Sequence, residues 1–251
     1  MTDLLDRKTA LVTGASRGIG AGIAKGLATA RATVIVNYAT NRADADAVVD
    51  EIKACGGTAW AVQADVSKHD DVARMFAEVA ERVERLDILV NNAGIHAAEP
   101  IEAVTAEHFH KLFDINVLGL LLTTQAAIPL FDASGGSIIN ISALASRMSS
   151  PDMSVYAGTK GAVDAITLSL SKELGPKKIR VNSINPGSIE TEGLAKSGFA
   201  AGDMRDLILS GTPLGRLGRP EDIANIAILL ASDEAYWING QIIFAAGGLT
   251  Y

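Results

Sequence analysis

The chain has 251 residues, 48% of them hydrophobic, which is enough to bury a large core. A net charge of −7 gives no basic footprint for nucleic acid or anionic lipid. The single cysteine, Cys55, excludes an internal disulfide and fits a reducing compartment.

The opening stretch MTDLLDRKTALVTG lacks the charged-then-apolar order of a signal peptide and runs directly into a strand, Thr9–Val12. Short apolar runs then alternate with segments of helical period. After the helix Ile19–Ala30 comes a strand, Thr33–Asn37, then the helix Arg42–Ala54 and the strand Thr58–Gln63. Helix Asp70–Arg85 leads to strand Ile88–Asn91, and helix Ala106–Pro129 to strand Ser137–Ile141. Helix Val155–Leu174, strand Arg180–Ile184, helix Glu221–Ala231 and strand Ile242–Phe244 complete the pattern. Strand–helix–strand alternation predicts a doubly wound α/β fold, a Rossmann-type parallel sheet with helices on both faces. Residues 1–251 read as one domain, since no linker, repeat or low-complexity tract divides them. The departure is Ser188–Leu214, an irregular Gly, Ser and Ala-rich segment expected to form a substrate lid. The most apolar stretch, VLGLLLTTQAAIPLF, is 15 residues long and carries polar groups, so a soluble cytoplasmic protein without a membrane span is expected.

The turn between first strand and first helix, LVTGASRGIG, carries Gly14, Gly18 and Gly20. Such a turn brings backbone N–H groups at a helix start up to a pyrophosphate, although G-x3-G-x-G differs from the commoner G-x-G-x-x-G. Asp65 follows the third strand, NNAG (Asn91–Gly94) the fourth and NPG (Asn185–Gly187) the sixth. Each is also an ordinary turn sequence, but three on one rim mark the end where open α/β sheets bind ligands. Tyr156 and Lys160, four residues apart, share one face of a predicted helix. An ammonium beside a phenol favours phenolate and makes a working proton donor and acceptor. No metal ligand set is expected.

Taken together, TGASRGIG, NNAG, Asn116 in DINVLG, YAGTK, NPGSIET and the closing Gly247–Gly248 resemble the short-chain dehydrogenase/reductase family over nearly the whole chain. Within it the chain is similar to tetrameric carbonyl reductases, 3-oxoacyl carrier-protein reductases and glucose 1-dehydrogenases among them. The resemblance implies a seven-stranded sheet and a nicotinamide cofactor lying across the strand ends. By analogy Gly14, Ser16, Arg17, Gly18, Ile19 and Gly20 hold phosphates and adenosine ribose. Asp65 and Val66 border the adenine, and Asn92, Ala93 and Gly94 line the ribose path. Pro186, Gly187, Ile189 and Thr191 flank the nicotinamide, while Asn91 braces the sheet.

The same analogy makes Tyr156 the general acid or base between a ketone and its secondary alcohol. Lys160 holds the nicotinamide ribose and lowers the tyrosine pKa; Asn116 holds a water by loosening its helix. The family serine, thirteen residues before the tyrosine, is replaced by Ala143. Its neighbour Ser142 stands in as a catalytic candidate only if the strand end twists, because adjacent strand residues face opposite ways. Ser146, Ser149 and Ser150 read as loop polar groups. The alternative to a reductase is therefore a nucleotide-binding protein of this fold with weakened or lost catalysis. At the end of the second strand, where an acid would bind the ribose diol of NAD, stand Asn37 and Tyr38. With Arg17 and Arg42 nearby, NADP is the expected cofactor. The pocket is expected from His96, Ala145, Arg147, Met153 and the lid, with Phe199, Met204 and Leu207 as an apolar cover. The helices Ala106–Pro129 and Val155–Leu174 carry apolar residues on more than one face, as helices buried on both sides do; in the resembling family these helices form a dimer face and the C-terminal strand a second contact, so the resemblance implies a homotetramer.

Overall fold

The computed structural model describes residues 3–196 and 202–249. Seven strands form one parallel sheet: β1 (Thr9–Val12), β2 (Thr33–Tyr38), β3 (Thr58–Gln63), β4 (Ile88–Asn91), β5 (Gly136–Ile141), β6 (Ile179–Pro186) and β7 (Ile242–Ala245). Their spatial order is β3-β2-β1-β4-β5-β6-β7. The chain winds outward from β1 to β3, then returns to lay β4 on the free side of β1, pairing Ala10 with Ile88. That reversal splays the connections after β1 and β4 and opens a crevice at their C-terminal ends.

The helices are α1 (Gly18–Thr29), α2 (Arg42–Ala54), α3 (His69–Arg82), α4 (Ala106–Phe113), α5 (Gly119–Ala127), α6 (Ser154–Leu174), α7 (Glu192–Lys196), α8 (Gly202–Ser210) and α9 (Pro220–Ala231). The pleat sends alternate residues of β1 to two cores. Ala10 and Val12 join α1, α2 and α9; Leu11 joins Met75 and Val79 of α3, Ala127 of α5 and Leu174 of α6. Both faces are covered, which is why the strands are apolar throughout. Helices α1 and α9 approach closely: a Cβ on Gly22 would collide with Pro220, and one on Gly26 would lie 2.8 Å from Ala224 Cβ. Ile23, Leu27, Ile223 and Leu230 are buried in the same core, each burial worth ~1.5–3 kcal/mol.

Two segments differ from the sequence expectation. The helix expected over Ala106–Pro129 is interrupted by a wider π turn at Asp114–Leu118 between α4 and α5. The full tract, Ala106–Leu130, is long and apolar enough by length and composition to cross a membrane, a length the apolar stretch alone does not reach. Here it packs against α3, β4 and α6. The segment expected to be irregular forms α7 and α8 within the described residues; Phe199 lies outside them.

Candidate active site

The glycine turn is built to take an anion. Helix α1 begins with no side-chain cap and no acidic residue in its first turn, so its leading N–H groups face the crevice. Gly14 has φ +60°, and a Cβ there would lie 2.8 Å from Ala93 Cα. A Cβ on Gly20 would lie 2.5 Å from Gly14 O and strike the Asn92 amide. A larger residue at either position would fill the cradle, so the turn fits a dinucleotide pyrophosphate. Thr191, just ahead of α7, leans over this turn, with its methyl 3.6 Å from a Cβ placed on Gly18.

Several residues expected to touch the cofactor instead hold the cradle in shape. Asn37 is 1% exposed. Its Oδ1 accepts from Gly14 N (3.1 Å) and its Nδ2 donates to Val62 O and Ala64 O. Asn92 donates from Nδ2 to Thr13 O (2.9 Å) and Gly14 O (3.0 Å). Both amides are engaged because the turn's backbone groups need partners away from water. Asp65 closes a turn of its own, accepting from Ser67 N and Oγ, while Val66 is buried beside Gly119. Ile189 is packed into the first core, leaving its backbone on the rim, bridged to Gly218. Pro186 ends β6 opposite Ala245, and Gly187 N donates to Ala245 O. Ser16 and Ile19 are partly exposed and Arg17 exposed. Tyr38 and Arg42 border a separate open groove of about 670 Å³ along the β3 edge, where Arg42 pairs with Asp46. Asn91 braces the sheet as expected, donating to Asn140 Oδ1 and Thr124 Oγ1 and accepting from Thr123.

Beyond β4 and β5 the crevice gathers the expected chemistry. Tyr156 and Lys160 occupy adjacent turns of α6, with the ammonium 5.7 Å from the phenol ring centre. Lys160 Nζ donates to Ile141 O at 3.0 Å. Burial lowers the lysine from 10.5 to about 8, with Asp164 opposing the shift. The expected depression of the tyrosine pKa is not what this chain produces: burial pushes Tyr156 up to about 12. Removal of the phenol from water outweighs an ammonium held beyond hydrogen-bond reach by its own carbonyl partner. The π turn lets Asn116 lean inward, where it is 3% exposed. It accepts from Ile95 N (2.8 Å) and donates to Ile95 O (2.9 Å) and Thr159 Oγ1 (3.1 Å). The site of a Cβ on Gly94 lies 3.2 Å from Asn116 Oδ1 and 3.7 Å from Lys160 Nζ, so NNAG and the lysine share one wall.

Ser142 is not a catalytic donor. Its hydroxyl is 4% exposed and donates to Lys160 O at 3.1 Å, on the face of β5 opposite Ala143. Ala143 is extended, with φ −162° and ψ 158°, so strand alternation persists to the end and the neighbour cannot swing round. Ser146 is held against Asn185 Nδ2 at 3.0 Å. Sequence reasoning missed Asp164, one further turn along α6. It accepts from Asn185 Nδ2 at 3.0 and 3.1 Å and from Ser183 Oγ, tying β6 to the helix that carries Tyr156. The i+4 spacing from Lys160 was its only sequence signal. On the substrate side, exposed Arg147 stacks over Phe244 at 4.8 Å. Ala145 is partly exposed; Met153 is buried at the start of α6 rather than open to the pocket.

A family model described as enoyl-(acyl carrier protein) reductase matches residues 14–250. The chain is 50% identical to an uncharacterised oxidoreductase of Methylorubrum extorquens, over 98% of each chain. It is 39% identical to a 3-oxoacyl-[acyl-carrier-protein] reductase of Staphylococcus epidermidis, over 96% of this chain and 98% of that one. A gluconate 5-dehydrogenase of Burkholderia cenocepacia, solved with NADP and tartrate, superposes with TM-score 0.92 at 35% identity, covering 98% of this chain and 96% of the other. The fold agrees with those matches: the chain belongs to the short-chain dehydrogenase/reductase family of oxidoreductases.

Proposed function

We propose that this protein reduces a ketone to a secondary alcohol with NADPH, Tyr156 acting as the proton donor. The observation that carries this reading is the grouping of Tyr156, Lys160 and Asn116 at the end of the cradle, with the tyrosine held as the neutral phenol. Bound NADPH supplies the hydride that forms the new C–H bond. The carbonyl π pair moves onto oxygen, and the Tyr156 O–H bond breaks to give that oxygen its proton. Lys160 holds the nicotinamide ribose from the wall it shares with Gly94. Asn116 fixes the NNAG loop and holds the water that returns a proton towards Lys160.

The choice of NADP(H) rests on the uncharged Asn37 beneath the turn and on Arg17, exposed beside it with no ion pair among the described residues. Arg42 contributes less, being paired with Asp46 at 3.2 Å. The NADP in the Burkholderia neighbour supports the same choice. The working form is a homotetramer in the cytoplasm. Ala143 alone favours a second reading, a nucleotide-binding protein without turnover.

Turnover of a panel of ketones, sugars and acyl thioesters, with NADPH and with NADH, tests the proposal on wild type and Tyr156→Phe. NADPH is expected to give the higher kcat/KM. The variant is expected to bind NADPH normally and lose nearly all turnover. A retained kcat above about a tenth of wild type corresponds to a loss below ~1.4 kcal/mol, too small for an essential proton donor. A clear NADH preference contradicts the cofactor assignment.

A further inference from the structure

The reductase reading leaves one demand unmet. A carbonyl oxygen gaining charge needs more than one donor; Ala143 has no hydroxyl, that of Ser142 is given to Lys160 O, and Ser146 Oγ is turned to accept from Asn185 Nδ2. One ring faces the same spot. The His96 imidazole stands edge-on to the Tyr156 phenol, with ring centres 4.8 Å apart and planes at 65°. An oxygen seated about 2.7 Å from the phenol oxygen lies within reach of that ring after a small side-chain rotation.

We propose that His96 donates the second hydrogen bond to the substrate carbonyl oxygen, doing the work of the missing serine. This rests on the reductase reading above. Three observations support it. The backbone just before His96 is pinned at both its N–H and its C=O by Asn116, so the imidazole stands on a fixed base. The ring is exposed and makes no hydrogen bond to any other described residue. Desolvation lowers its pKa below 6.5, against the smaller effect of a hydrogen bond to its own backbone; this favours the neutral imidazole, whose single N–H turns from that backbone to the substrate oxygen. His96 lends a hydrogen bond only; the proton that reaches the product oxygen comes from Tyr156.

The test is a cycle of variants read by single-turnover ketone reduction and by NADPH fluorescence titration. His96→Phe keeps the edge-on ring and removes the donor; kcat is expected to fall by about 10²-fold or more with NADPH affinity unchanged. His96→Asn, which retains a donor, is expected to stay within ~10-fold of wild type. Ala143→Ser is expected to raise kcat less than ~10-fold in wild type but about 10²-fold in the His96→Phe background. Turnover of His96→Phe within about 3-fold of wild type overturns the proposal. So does a gain from Ala143→Ser that is equal in both backgrounds, or its failure to rescue His96→Phe. Wild type inert but Ala143→Ser active overturns it too, while the reductase reading stands. Both inert, with NADPH still bound, overturns that reading and the proposal with it.

Discussion

At the scale of single residues, the site is a contest between burial and pairing. Lys160 is removed from water and receives one carbonyl, with Asp164 a turn away offering partial compensation. Its folded pKa of about 8 lies below the ordinary 10.5, so the unfolded chain binds the proton more tightly between those values. The burial penalty is present in full below about pH 8 and is relieved as pH rises to 10.5, so this residue makes stability climb across that window. Urea denaturation of wild type and Lys160→Met, without cofactor, reads this directly. The wild type is expected to gain on the variant from about pH 7.5 to about pH 9.5; a constant gap between them contradicts the assignment. Asn37 and Asn92 make the complementary point. Their place beside a cofactor turn was legible in the sequence, but not their orientation. A buried amide turns towards whichever backbone groups lack partners, and these came from β1, β3 and the glycine turn.

At the scale of elements, the cradle depends on how closely β1, α1 and the loop after β4 approach one another. Gly20→Ala places a methyl against the Asn92 amide and Gly14 O. Overpacking of this kind costs ~1–3 kcal/mol, and relief comes only by moving the amide that shapes the turn. Loss of NADPH binding is expected in titration, together with a lowered Tm; unchanged affinity contradicts the cradle assignment. The strands and long helices were readable because apolar period and turn residues agree over many positions, as in β2 and α2. Helices α7 and α8 were not, since 5 and 9 residues are too short for local pattern to stand out. Nor does periodicity announce the π turn at Asp114–Leu118: it is held by bonds from Asn116 to Ile95 and Thr159, distant in sequence. Asp164 was hidden for the same reason, its partners arriving on β6.

At the scale of the whole molecule, two groups of apolar side chains among the described residues stand out as uncovered. Phe109, Leu118, Leu121 and Leu168 are exposed on the α4–α5 tract and α6, while Tyr236 and Trp237 stand 76% and 89% exposed before β7. The proposed tetramer with dihedral symmetry would use two kinds of contact, and these two surfaces are the ones assigned to them in that proposal. Light scattering is expected to give the mass of four chains, and Leu121→Arg with Leu168→Arg that of two. A one-chain mass for the unaltered protein at micromolar concentration contradicts the assembly. The close seating of α1 on α9 has a temporal meaning as well. The helix that receives the pyrophosphate begins at residue 18, yet the surface that steadies it is Pro220–Ala231. A chain growing from its N-terminus carries the Gly22–Gly26 face of α1 without its packing partner until α9 has been synthesised. The part of the protein that meets the cofactor is thus among the first to be made and among the last to be finished, and a nascent chain cannot hold its ligand firmly before its closing residues have emerged.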